Sequence, residues 1–82
     1  MVGTAMTSNV KRVIAYHASR LKDKSVDVRL KSIQELAKLP DEDSLTALQQ
    51  AFQTEADPAV KKAAQEAGRS VFTQLKSARS GE

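Results

Sequence analysis

The sequence predicts an all-α fold: two helical hairpins stacked as a minimal α-solenoid, with a compact four-helix bundle as the alternative. Three observations point there. Two prolines and three glycines in 82 residues leave long unbroken stretches. Apolar residues recur at three- and four-residue spacing along four of those stretches, the period of an amphipathic helix. Finally, "SVDVRLKSIQELAK" (25–38) and "DPAVKKAAQEAGR" (57–69) align as two copies of one capped helix start.

The first helix is expected over about 9–22, with Ser8 or Asn9 as its cap. Val10, Val13, Ile14, His17, Ala18 and Leu21 share one face of it. "KDKS" breaks that pattern. Helix two is expected over about 25–39. The Ser25 hydroxyl can accept from free amides of the first turn, and Asp27 adds favourable charge at the positive end. Pro40 closes this helix by pushing the preceding residue out of helical geometry. Asp41 is the expected cap of helix three, about 42–53, with Leu45, Leu48 and Phe52 as its stripe. Helix four, about 57–75, has the sharpest start. Asp57 is an N-cap, and Pro58 sits where a missing amide costs nothing. Gly68 lies inside this helix, at about 1 kcal/mol relative to alanine. The domain is thus expected over 9–76, with small, polar, frayed tails at 1–8 and 77–82.

The two capped helices differ in their faces. Helix two is apolar over roughly half the circle, which suits an element touched on more than one side. Helix four is narrower: Val60, Ala64, Ala67, Val71 and Leu75 lie opposite Lys62, Gln65, Glu66, Arg69 and Thr73. Aligning the copies places Ser25 on Asp57, Val28 on Val60, Arg29 on Lys61 and Ser32 on Ala64, an offset of 32 residues. Leu21 and Phe52 close the helix before each copy. The repeating unit is therefore helix, short loop, capped helix, and hairpins of this period stack into solenoids.

"LKDKSVDVRLKSIQEL" and "FQTEADPAVKKAAQEA" resemble short HEAT-like repeats, of the kind found in phycobilin lyase subunits, over about residues 9–75. In such repeats the second helix of each pair lines the concave, binding side. The resemblance implies a mainly structural role for Arg29 and Lys61. It places Lys31, Glu35, Lys38, Lys62, Gln65, Glu66 and Arg69 near the presented face. The second copy departs in carrying Gly68 where the first has Leu36, and lysine where the pattern has arginine, which weakens two-point pairing. Two repeats are also fewer than the three or more that usually make an independent solenoid. That implies a minimal module, a dimer or a subunit of something larger.

Charge is segregated beneath a net +3: residues 1–31 carry +5, 32–59 carry −5 and 60–82 carry +3. With no cysteine, disulfides and thiolate metal sites are excluded, and a cytoplasmic setting is expected. No secretory leader or membrane span is read in the sequence. His17, the single histidine, has no neighbouring nucleophile or acid that the sequence can identify, so it reads as a buried or interfacial residue with one hydrogen-bond partner. Tyr16 lies off the apolar stripe. "DED" (41–43) lacks the spacing and glycine of a calcium loop, and capping explains it. There is no phosphate-cradling glycine loop and no histidine pair. Neither an enzyme, a cofactor nor a metal site is expected.

What remains is a non-enzymatic protein–protein interaction module, an adaptor or small subunit, acting by presenting a rigid helical surface. Val26 and Leu30 would supply apolar affinity. Lys31, Lys38, Lys62 and Arg69, with Glu35, Gln65 and Glu66 among them, would orient an acidic patch on a protein partner or on a second copy. Two other readings follow. One is nucleic-acid binding through the basic N-terminal third, led by Lys11 and Arg12, although no aromatic platform accompanies it. The other, implied by the resemblance alone, is an accessory role to a bilin-attaching enzyme.

Overall fold

The computed structural model describes residues 2–80, with side-chain surroundings for 9–78. It holds four α-helices: α1 (Val2–Arg20), α2 (Val26–Ala37), α3 (Glu42–Thr54) and α4 (Pro58–Ser80), with no strand among the described residues. The expected caps of the last three are in place. Ser25 Oγ accepts from Val28 N at 3.3 Å, and Asp41 Oδ1 accepts from Asp43 N at 2.8 Å. Asp57 Oδ1 accepts from Ala59 N and Val60 N at 2.9 and 3.1 Å. Each bond satisfies an amide that the helix itself leaves unpaired.

Three boundaries differ from the sequence reading. α1 begins at Val2, so Ser8 and Asn9 are interior residues and not caps. α4 runs to Ser80, through most of the segment read as a tail. Neither stretch contains a proline after the helix start, and nothing in it forces the backbone to stop; a serine or asparagine caps only where the chain is already extended. α2 ends at Ala37, two residues before Leu39. Lys38 N turns back to Glu35 O and Leu39 N to Leu36 O, closing the last turn ahead of Pro40. Residues 1, 81 and 82, which belong to the expected tails, lie outside the described residues.

The helices form two layers, with α1 beside α3 and α2 beside α4. α2 packs on all three other helices, as its wide apolar arc demands. Among the described residues α1 and α4 do not touch. In an up-and-down bundle the first and last helices close the ring, so the compact-bundle alternative is overturned. The result is an open stack of two hairpins, a slab of 40 × 26 × 15 Å.

Its core is Ile14 from α1, Ile33 and Leu36 from α2, Leu48 and Ala51 from α3, and Val60, Ala64, Ala67 and Val71 from α4. Alanines at 64 and 67 let α4 approach its neighbours, so close packing replaces side-chain bulk there. Ser32 is buried too, its hydroxyl returning to Val28 O at 2.9 Å. Ser44 is fully buried and its hydroxyl has no hydrogen-bond partner among the described residues. That orphan is a small local cost.

Candidate interaction surfaces

The junction between the hairpins is fixed by Arg29. Its Nε and Nη2 donate to Glu55 Oε2 and Oε1 at 2.8 and 2.9 Å, a two-point pair. Its Nη1 donates to the carbonyl oxygens of Asp23 and Lys24 at 2.8 and 3.1 Å. One guanidinium therefore ties the α1–α2 loop to the α3–α4 loop. The Glu55 side chain is 7% exposed and that of Arg29 17%, so solvent screens the pair little. The Arg29 bonds hold the Glu55 carboxyl below its ordinary range against the opposing effect of burial; the amide of Asp57 adds to the lowering.

Glu55 was read in the sequence only as part of a charge count. The signal that could have found it is positional. Glu55 stands two residues before the cap Asp57, and Asp23 stands two residues before the cap Ser25. Their local chemistry is the same as well. Glu55 Oε1 accepts from Asp57 N at 3.1 Å, and Asp23 Oδ1 accepts from Ser25 N at 2.9 Å. Lys61, the counterpart of Arg29, has no ion pair among the described residues. Its ammonium lies 5.1 Å from the centre of the Phe52 ring.

On the outer layer, α1 is tied to the start of α3. Lys11 Nζ sits 3.0 Å from Asp41 Oδ1 and 2.9 Å from Asp43 Oδ2. Both carboxylates raise the Lys11 pKa, through hydrogen bonds from the ammonium first of all. Asp41 is lowered, chiefly by the amide of Asp43 and then by Lys11, with burial opposing. A residue read as the head of a basic patch is thus engaged with the chain's own acids. His17 is half-buried and meets Tyr16 edge-on, ring centres 5.1 Å apart, with no hydrogen bond among the described residues. Arg20 lies over the other ring, 5.5 Å from the centre of Tyr16.

The candidate partner residues fall on the α2–α4 layer. Lys31 and Lys38 on α2, and Lys62, Gln65, Glu66 and Arg69 on α4, are all exposed. Glu35 is half-buried and pairs with Lys38 at 3.4 Å. Val26 is 36% exposed, at the first turn of α2. Leu30 is half-buried and packs on the core, so little of it is left for a partner.

The second hairpin carries a feature that only the exchange of Leu36 for Gly68 between the copies hints at in the sequence. A groove of about 250 Å³ runs between α3 and α4, lined mainly by Leu45, Phe52, Gly68 and Phe72. Gly68, standing where the first copy has Leu36, is buried beside Leu48 and leaves that groove unfilled. Phe72 is 54% exposed at its edge. On α1, which does not touch α4 among the described residues, Val13 and Tyr16 are 44% and 56% exposed.

A family model of HEAT repeats matches residues 3–68, most of the chain. The chain belongs to the HEAT repeat family. The match agrees with what the packing shows: hairpins whose first helices form one layer and whose second helices form the other. It does not extend to the phycobilin lyase kind. The HEAT repeat family is generally non-enzymatic. No curated protein and no solved structure matches the chain. Among the described residues no helix is long and apolar enough to cross a membrane, and no group of acidic or histidine side chains is placed to hold a metal ion.

Proposed function

We propose that this HEAT-repeat chain is a protein–protein interaction module, an adaptor or small subunit that presents the α2–α4 layer to a protein bearing an acidic patch. One observation supports this above the others. Lys31 and Lys38 from one helix and Lys62 and Arg69 from the next are exposed on two helices packed side by side. HEAT repeats commonly mediate protein–protein interaction, which favours the same reading. The mechanism requires no bond-making. A preorganised helical face costs a partner little ordering entropy, and its cations steer encounter and fix register.

The engagement of Lys11 with Asp41 and Asp43 counts against a nucleic-acid surface on α1, since two carboxylates occupy the ammonium that would meet a phosphate. The test is co-purification from native extract of wild type, of the variant Lys31→Glu, Lys38→Glu, Lys62→Glu, Arg69→Glu, and of a control reversed at Lys22 and Lys24. Proteins retained by wild type and control should be lost from the four-site variant. Equal retention by all three would sink the reading.

A further inference from the structure

We propose that copies of this chain stack head to tail, with Lys61 at the open end of one copy pairing to Asp23 at the open start of the next. The internal junction supplies the template. Arg29 of the first hairpin reaches forward to Glu55 of the second. Lys61 occupies the Arg29 position one repeat on, on the side of the second hairpin where no other helix among the described residues packs. Asp23 occupies the Glu55 position one repeat back. Its carboxylate holds the amide of Ser25 as Glu55 holds that of Asp57, and carries no ion pair among the described residues. The chain thus presents an unused cation at one end and an unused acid at the other, in the positions that already pair inside it.

The apolar surfaces agree with the charges. The end holding Lys61 has the groove between Leu45, Phe52 and Phe72. Asp23 lies in the loop after α1, and α1 exposes Val13 and Tyr16, side chains large enough to enter that groove. Exposed aromatic and apolar side chains beside a Lys–Asp contact match the composition of an interface. Because the two surfaces differ, the contact is heterologous and does not close at two copies. Lysine and aspartate give one contact point where arginine and glutamate give two, so the assembly is reversible and concentration-dependent.

The test is sedimentation velocity and light scattering of the full chain over a concentration series at low salt. Wild type should grow in mean mass beyond a dimer. Asp23→Lys alone and Lys61→Asp alone should each weaken self-association by at least about tenfold, since each brings like charges together. Mixing the two variants should restore open-ended growth, because every junction in the mixture again joins Lys to Asp. Circular dichroism checks that each variant is folded; Lys61 is exposed, so its variant stands even if Asp23→Lys does not fold. A wild type that stays monomeric at every concentration overturns the proposal. So does a closed dimer of fixed mass, or association that ignores both reversals.

Discussion

Arg29 and Glu55, 26 residues apart in sequence, meet through two N–H···O bonds of 2.8 and 2.9 Å at the junction of two helical hairpins. The pair decides more than local stability. It sets how the second hairpin sits on the first, and so which side chains of α2 and α4 share a face. Carbonyls of Asp23 and Lys24 take the remaining guanidinium donors, so the arginine is nearly fully used. A buried pair of this kind is costly to break from one side, because the other charge stays behind without a partner.

Arg29→Met should therefore destabilise the chain by about 3 kcal/mol in urea unfolding. Lysine at the same position should recover only part of that, since it cannot make the two-point contact. A double cycle of Arg29→Met with Glu55→Gln should show a coupling of about 1–2 kcal/mol. Additive effects of the two changes would mean that the pair does not hold the junction.

Acid should loosen the same junction. The Glu55 carboxyl is lowered from an ordinary value of 4.5, mainly by Arg29. Its contribution is present above 4.5 and is lost as pH falls through the depressed folded value. Asp41, lowered from 3.8, loses its contribution in the same direction at lower pH. Urea midpoints measured from pH 7 down to about pH 3 should fall for wild type. Glu55→Gln should start lower and fall less steeply, keeping only the Asp41 share.

Gly68→Ala should stabilise the chain by about 1 kcal/mol, raising the urea midpoint. A methyl group there would lie 3.8 Å from Leu48 Cβ, ordinary contact, and the residue is helical. The larger Gly68→Leu would restore the side chain of the first copy and fill the groove. It should abolish head-to-tail stacking while leaving the monomer folded.

Ser44→Ala should be neutral to stabilising, by up to about 1 kcal/mol. The hydroxyl it removes is fully buried and has no partner among the described residues. Most serine positions in helices of this chain, tested the same way on the exposed surface, should change stability by less than about 0.5 kcal/mol.

Much of the fold was legible because the local signals are chemical and short-range. Ser25, Asp41 and Asp57 precede apolar periods, and each caps the helix that it announces. The wide apolar arc of α2 foretold an element touched on several sides, and the 32-residue offset foretold the stack. The start of α1 was not legible, because Ser8 and Asn9 offer a cap that only an extended backbone can use. Bundle and stack could not be separated by periodicity, since both bury one face of each helix; the absence of α1–α4 packing separates them. Of the candidate site, only the exposure of its charged side chains was legible, and not their arrangement. Glu55 escaped because its importance depends on a partner 26 residues away, and the half-burial of Leu30 was not readable from its place on a wide apolar arc.

The most direct measurement is a set of nuclear Overhauser contacts from the labelled chain in solution. The open stack requires cross-peaks between α2 and α4, including the Gln74 side chain, whose Nε2 lies 3.5 Å from Ala37 O, against the Ala37 methyl. It also requires that α1 show none to α4 within a single copy, as read from a dilute sample. Intramolecular contacts between α1 and α4, without those between α2 and α4, would describe a closed bundle. They would contradict the layered arrangement on which the proposed use of Lys31, Lys38, Lys62 and Arg69 depends.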